Sequence, residues 1–212
     1  LMKFGTDEQK ESFLPRMATG ELRAAFSLSE PEVGSDVQGI KATAAKDGDA
    51  LRDAKDAIPQ GTSVSITFLA GETAPARVAA AKQVRGYRFF PRPHISARRI
   101  ASESELESFL ADLAAQAQID RAFVVAGDLA QPAGPYFDAL AVIKSGLLAK
   151  HGVRHVGISG YPEGHPDFSA EKLWQALRDK HQALTDLGHS YDIITQFGFD
   201  ARAISRWTMK MR

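Results

Sequence analysis

The strongest constraint on the fold is an alternation of short apolar runs with longer helical stretches, which begins after residue 60. The apolar runs are rich in β-branched and aromatic residues, as buried strands are. Successive runs begin 24 to 37 positions apart, a suitable length for a βα unit. The pattern therefore predicts parallel strands at VSITFLA (64–70), RFFPRPHI (88–95), AFVVAGD (122–128), HVGISGY (155–161) and DIITQF (192–197).

The stretches between the runs carry the signals of helix ends. Ser102 and Glu105 have capping-box spacing, and Gly86 is placed to cap the C-terminus of the first helix. The two last intervening helices also close on glycine. Alternation of this kind predicts an α/β fold with a parallel sheet, either an open doubly wound sheet or part of a (β/α)8 barrel.

Composition excludes several classes of protein. Lys+Arg and Asp+Glu both number 26, so no global charge would attract nucleic acid or an anionic membrane. The absence of cysteine excludes disulfides and thiolate chemistry. No apolar run reaches the ~20 residues of a membrane span, and no signal peptide is seen. We expect a cytoplasmic protein without a membrane or nucleic-acid partner, and scattered histidines predict no metal site.

The chain changes character near residue 50. Residues 46–62 are polar and rich in turn formers, which indicates a boundary between residues 1–50 and residues 51–212. The chain opens on Leu1 and Met2 inside a continuing element and stops at WTMKMR without a terminator pattern. We therefore expect both ends to be truncated.

Four polar residues fall at the C-terminal ends of predicted strands: His94, Asp128, Tyr161 and Gln196. In either parallel architecture this rim is where ligands bind. Each residue alone has a structural explanation, since a strand-end aspartate often caps a helix and a lone histidine is usually a hydrogen-bonded loop residue. Together, the four make a binding site and a purely structural rim about equally good explanations.

Four segments in the same order resemble the methylenetetrahydrofolate reductase family: PHISARRI, VVAGDLAQPAGPYFDALAVIKSGLL, GISGYPEGHPDF and IITQFGFDARAISRW. The resemblance extends over roughly residues 58–207. It implies a partial (β/α)8 TIM barrel of about five parallel strands, preceded by a short helix–strand N-terminal segment. It also implies flavin-dependent reduction of 5,10-methylenetetrahydrofolate to 5-methyltetrahydrofolate, with FAD as cofactor and NAD(P)H as co-substrate.

The resemblance implies roles for single residues. Asp128 would lie beside the flavin and stabilise a cationic folate intermediate, and Gln196 would contact folate and nicotinamide through its amide. Flavin contacts are further implied for Thr67, His94, Gly127, Asp128, Tyr161, His165 and, at a phosphate, Lys180. The two prolines of GYPEGHPDF would then stiffen a loop that holds FAD. Taken alone, the same stretch is better explained as a proline-fixed turn with Tyr161 in the core.

The resemblance is also incomplete. The family's first strand carries a glutamate that acts as general acid, and residues 46–62 supply no such strand. Two further strands would follow residue 197, and Ala176 stands where an adenine-side asparagine is usual. Missing strands predict impaired turnover. They also leave open sheet edges, which favour homo-oligomers.

The first fifty residues resemble a second family. FGTDEQKESFLPRMATGELRAAFSLSEPEVGSDVQGIKATAAKDGD is similar to acyl-CoA dehydrogenases where their helical domain meets their β-domain. LSEPEVGSD (28–36) matches a flavin-contacting loop, with Ser29 in the usual threonine position and Glu32 where glycine is usual. The residues themselves predict a helix from Thr6 or Asp7 to near Pro15 and then a short strand. So short a piece buries no core, and we interpret it as a fused remnant without acyl-CoA chemistry.

Three functions from different classes stay open. They are a flavin-dependent folate reductase, a flavin- or folate-binding remnant without turnover, and a relative of the acyl-CoA dehydrogenases.

Overall fold

The computed structural model describes residues 51–52, 55–56, 58–68, 71–196, 198 and 200–211, together with four isolated positions near the N-terminus. Those four are helical and exposed, in agreement with the helix predicted there; they are Asp7, Glu8, Glu11 and Pro15. The LSEPEVGSD segment, with Ser29 and Glu32, lies outside the described residues. The division of the chain near residue 50 stays a prediction.

The described part of the chain contains one sheet of five strands in the order β1-β2-β3-β4-β5. Every neighbouring pair is parallel. A doubly wound sheet reverses its strand order, whereas a barrel adds each new strand on the same side. The uninterrupted order therefore confirms the partial barrel. The strands are β1 (Ser63–Ile66), β2 (Phe90–Ser96), β3 (Arg121–Val125), β4 (His155–Gly160) and β5 (Ser190–Thr195).

The sheet is strongly curled, as one ion pair shows. Nη1 of Arg92 on β2 lies 2.9 Å from Oδ2 of Asp192 on β5. In a flat sheet these strands would be three spacings apart, about 14 Å, beyond the combined reach of the two side chains. The sheet must therefore bend around its inner face, which makes the described unit a half-barrel.

Six α-helices are described after the first strand: α1 (Ala74–Gly86), α2 (Glu103–Ala117), α3 (Ala139–Lys144), α4 (Leu147–Lys150), α5 (Ala170–Asp186) and α6 (Ala201–Lys210). The Ser102 hydroxyl accepts the Glu105 amide at 3.1 Å, as its capping-box spacing predicts. Gly86 differs from its prediction, because it is the last residue of α1 and the left-handed backbone falls on Arg88 instead (φ 63°). The predicted third helix is divided into α3 and α4 at Gly146, where φ is +75°.

The two faces of the sheet have different chemistry. Alternate residues of each strand point outward and pack beneath the helices, where they form the core. Members of this outer layer that are fully buried include Ile66, Ile95, Val124, Val156 and Ile158. The residues between them line the concave inner face. The outer layer supplies hydrophobic stabilisation, and the inner layer is left for polar groups.

Helix α6 was not predicted from the sequence. Its Trp207 lies against the Trp174 ring of α5, with centroids 5.6 Å apart. A Cβ at Gly160 would lie 2.7 Å from the Trp207 ring, so the glycine is needed for this approach. No helix in the described ranges is long and apolar enough to cross a membrane.

Candidate functional site

Three predicted site residues follow directly on strand ends. Thr67 follows β1, Tyr161 follows β4 and Gln196 follows β5. Two others lie elsewhere. His94 is inside β2, two residues before its end, and Asp128 is the third residue after β3. The five residues therefore do not form one level row at the rim, because the strands end at different heights.

The loop after β4 contains an aromatic cluster. The rings of Tyr161 and His165 meet edge to face with centroids 5.4 Å apart, and the Phe168 ring lies 4.9 Å from that of His165. Gly164 provides the left-handed turn (φ +88°) that brings His165 back toward Tyr161. The loop ends where the Ser169 hydroxyl accepts the Lys172 amide and starts α5. GYPEGHPDF is thus an ordered turn that presents rings at the rim.

A small cavity of about 20 Å³ joins this loop to the end of β5. Tyr161, Glu163 and Gln196 line it, together with Gly198. The Glu163 carboxylate accepts the Asp200 amide at 2.5 Å, which ties the loops after β4 and β5 together. The structure therefore brings Tyr161, His165 and Gln196 into one local group. The cavity has room for about a water molecule and not for a ring system.

His94 is held neutral on the inner face of β2. Its ring packs edge to face on Phe123 of β3, with centroids 4.8 Å apart. Desolvation, assisted by the positive charges of Arg77 and Arg92, lowers the pKa of His94 to about 3. Its backbone carbonyl accepts a hydrogen bond from the guanidinium of Arg77. A neutral imidazole can both donate and accept a hydrogen bond at physiological pH.

Asp128 is paired with an arginine. Nε and Nη2 of Arg99 donate to Oδ1 and Oδ2 of Asp128 at 2.8 and 2.6 Å, a bidentate arrangement. Arg99 ends the 3-10 turn Ala97–Arg99, which follows β2. Gly127, with φ +90°, makes the bend before Asp128, and a Cβ there would lie 3.4 Å from that of Ser96. Hydrogen bonding from Arg99 lowers the pKa of the Asp128 carboxyl.

Lys180 lies in a different environment from the rim. It is the tenth residue after the start of α5, about 15 Å along the helix. Its side chain is buried, and desolvation lowers the pKa of its ammonium, which the nearby Asp138 partly offsets. Asp138 caps α3, whose helix packs against α5. The phosphate contact implied for Lys180 stays a prediction.

Sequence reasoning missed Arg99, Arg77 and Glu163. Arg99 follows the predicted end of β2, so its place at the rim could have been inferred, but its partner depends on β2 and β3 being neighbours. Arg77 belongs to α1, and its burial between the Phe68 and Phe109 rings has no local sequence signal. Glu163 sits in the quoted GYPEGHPDF motif, where its acceptor role depends on the following strand.

Comparison with known proteins finds similarity in the N-terminal region of the chain. Acyl-CoA dehydrogenase FadE26 of Mycobacterium tuberculosis is 49% identical over 49 residues, which are 23% of this chain and 12% of that protein. Acryloyl-CoA reductase (NADH) of Anaerotignum propionicum is 49% identical over 47 residues, 22% of this chain and 12% of that protein. Very long-chain specific acyl-CoA dehydrogenase, mitochondrial, of Rattus norvegicus is 50% identical over 44 residues, 21% of this chain and 7% of that protein.

The chain therefore spans only about an eighth or less of the length of these curated relatives. No family model matches the chain. The similarity supports the predicted resemblance of the N-terminal segment to acyl-CoA dehydrogenases. It gives no support to the resemblance between the half-barrel and methylenetetrahydrofolate reductases.

Proposed function

We propose that the half-barrel binds FAD at the rim of its sheet and belongs to an enzyme that reduces 5,10-methylenetetrahydrofolate with NAD(P)H, in the cytoplasm. The observation that carries this proposal is the set of polar and aromatic groups that follow four strands of one parallel sheet: Thr67, Asp128, Tyr161 and Gln196. Ligand sites of parallel α/β folds lie at this edge. The motif resemblance set out from the sequence supplies the choice of flavin and folate.

The chemistry of these groups fits a flavin. An isoalloxazine needs ring surfaces on which to stack and both donors and acceptors along its pyrimidine edge. Tyr161 and His165 offer partly exposed rings, Gln196 offers an amide, and the neutral His94 offers one donor and one acceptor. When bound, FAD would take a hydride from NAD(P)H and deliver it to the folate.

The part assigned to Asp128 is electrostatic. An ionised carboxylate stabilises a cation that develops nearby, and the lowered pKa of Asp128 keeps it ionised well below neutral pH. The positive charge of Arg99, which binds both oxygens of Asp128, weakens the attraction that this carboxylate would exert on a cationic substrate. The expected turnover is accordingly low.

Flavin binding can be tested directly with the full chain. We expect added FAD to lose fluorescence on binding, and Tyr161→Leu to weaken this binding by about tenfold because a stacking surface is lost. Asp56→Asn, at an exposed position that precedes β1, is the control and should bind as the unmodified chain does. Equal binding by Tyr161→Leu would contradict the proposed location.

Turnover is a separate measurement. NADH oxidation with menadione as acceptor would show that the bound flavin is reducible, and Asp128→Asn should lower folate reduction more than it lowers menadione reduction. That difference is expected because only the folate develops a positive charge. Flavin binding without either activity would show that the chain binds the cofactor but does not catalyse the reaction.

A second candidate is a relative of the acyl-CoA dehydrogenases, and the comparisons favour it over the folate reaction. The specific observation is near 50% identity over 44 to 49 residues with proteins of that name. Such enzymes are FAD flavoproteins, so FAD and an oxidoreductase activity are common to both candidates. Oxidation of a saturated acyl-CoA with an artificial electron acceptor, without any folate reaction, would establish this alternative.

We also propose that the chain self-associates through β1 and β5, which are the edge strands of the sheet within the described residues, since an unpaired strand edge is a template for further pairing. Analytical ultracentrifugation would detect this, and a monomer at all concentrations would contradict it.

A further inference from the structure

Arg98 holds the loop that follows β3 at several points. Its Nε donates to the Phe137 carbonyl at 2.9 Å, and its Nη1 donates to the Leu129 carbonyl at 3.1 Å. Its backbone amide donates to the Ala126 carbonyl at 2.9 Å, and its own carbonyl accepts the Ala133 amide at 2.8 Å. One residue thus fixes the backbone of the loop from residue 126 to residue 137.

The adjacent Arg99 does something different, because it contacts a side chain of the same loop. Its two hydrogen bonds go to the two carboxylate oxygens of Asp128. The side chains of Arg99 and Asp128 are 17% and 27% exposed, so the pair is largely shielded from solvent. Planar bidentate pairing fixes direction as well as charge.

Arg99 rests on an aromatic support that reaches into the core. Its guanidinium lies 5.2 Å from the centre of the Phe68 ring. The guanidinium of Arg77 lies 4.7 Å from the same ring and 4.4 Å from the ring of Phe109 on α2. Arg77 is buried, at 7% exposure. The support limits the ways in which Arg99 can turn away from Asp128.

We propose that Arg98 and Arg99 divide the positioning of Asp128, with Arg98 holding the backbone of its loop and Arg99 holding the direction and charge of its carboxylate. The importance of Asp128 rests on the proposed function, but the division of labour rests on the contacts alone. A further consequence concerns specificity: a ligand that brings a positive group to Asp128 must compete with Arg99.

The electrostatic surroundings of Asp128 are simple. Within the described ranges, the charge that acts on it comes from Arg99 across the β2–β3 edge, and the hydrogen bond from Arg99 is the main reason for its lowered pKa. Arg98 is next in sequence, but its guanidinium donates to backbone carbonyls and not to this carboxylate. The two arginines can therefore be separated by experiment.

The experiment is an NMR titration of the Asp128 carboxyl carbon in the full chain, with Asp128→Asn used to assign the signal. We expect Arg99→Met to raise the pKa of Asp128 toward its ordinary value and Arg99→Lys to restore part of the lowering. Arg98→Met should leave that pKa unchanged. It should instead speed amide hydrogen exchange in residues 126–137 by about tenfold, since two hydrogen bonds to loop carbonyls are lost.

An unchanged Asp128 pKa in Arg99→Met, or an equal rise in Arg98→Met, would overturn the proposal. If Arg99→Met fails to fold, Arg99→Lys decides by itself, because a lysine cannot reproduce the bidentate bond and must still shift the titration. These readouts use no flavin. If they behave as expected while FAD does not bind, the positioning inference stands and the proposed function fails. If FAD binds while these readouts do not change as expected, the proposed function stands and the positioning inference fails.

Discussion

The outer and inner faces of the sheet differ in what they contribute to the protein. The outer face is apolar and packs beneath the helices, and it is fully buried along the middle strands β2, β3 and β4. The inner face carries ionisable and aromatic groups in neighbouring positions, including Arg92, His94, Phe123, His155 and Asp192. Strand alternation thus separates stability from chemistry within each strand. Changes on the inner face should respond to pH and charge, and changes on the outer face should not.

The largest expected effect is a loss of folding stability at acidic pH, which should arise from a histidine on the inner face. The pKa of His94 is about 3 in the folded chain and 6.5 ordinarily. Between these values the unfolded chain binds a proton that the folded chain excludes, so stability is lost as the pH falls, on the order of 4 kcal/mol in all. Urea unfolding at a series of pH values measures this.

The variant His94→Gln should remove the part of the slope above pH 4 that comes from His94 and leave a smaller part that comes from the lowered pKa of His189. An unaltered slope would show that acid acts elsewhere. Asp128 contributes little to the slope of stability against pH above pH 4. Its folded pKa is lowered below 3.8, so the stability it contributes is present above that value and is lost only at lower pH.

Truncation of a helix residue in the core that covers the outer face should cost somewhat less and be independent of pH. Leu110 on α2 is fully buried in the core. Leu110→Ala should lower the free energy of unfolding by about 3 kcal/mol, through lost burial and the cavity left behind. Urea unfolding at neutral and at mildly acidic pH should give the same difference. A clearly pH-dependent loss would mean that the two faces are not independent.

Breaking the inner ion pair should have a smaller effect. Asp192→Ala leaves the largely buried guanidinium of Arg92 without its carboxylate. Because Asp192 is 41% exposed, we expect a loss of about 1.5 kcal/mol and not the full cost of a buried charge. The double variant Arg92→Met, Asp192→Leu removes both charges and should regain most of the loss. Failure to regain it would show that the pair itself, and not an orphaned charge, matters.

The smallest effects concern two glycines. A Cβ at Gly157 on the inner face would lie 3.0 Å from side-chain atoms of Phe123 and Ile194, so Gly157→Ala should cost about 1 kcal/mol as they shift. Gly86, at the end of α1, has open space around it. Gly86→Ala is the matched control and should stabilise by about 0.5 kcal/mol. Thermal unfolding compares them, and equal losses would rule out crowding as the cause.

The fold could be predicted from the sequence because its signals are local. Each strand is a short apolar run, and the predicted and observed strands overlap in every case. The Ser102 cap could be read in the same way. The position of Gly86 relative to the helix end could not be predicted, since a glycine near a helix end can lie inside or outside the helix. In the structure the left-handed residue is Arg88. The sequence left two parallel architectures open, and only the strand order in the structure distinguished the partial barrel from the doubly wound sheet.

The candidate site could be predicted only in part. Strand ends indicated Tyr161 and Gln196 correctly as rim residues, because position in a parallel strand is a local property. The partners of Asp128 and His94 come from other strands and helices, so no spacing in the sequence contains them. The lowered pKa values of His94 and Asp128 depend on those partners and on burial, so they could not be predicted from the sequence either.

The ion pair between Arg92 and Asp192 crosses the concave side of the curled sheet and connects β2 directly to β5. The pair therefore joins two strands that share no backbone hydrogen bond, at a point where the guanidinium of Arg92 is largely shielded from solvent. Added salt screens such a pair much less than it screens an exposed one. We expect this link across the hollow to persist at ionic strengths that weaken the exposed ion pairs of the surface.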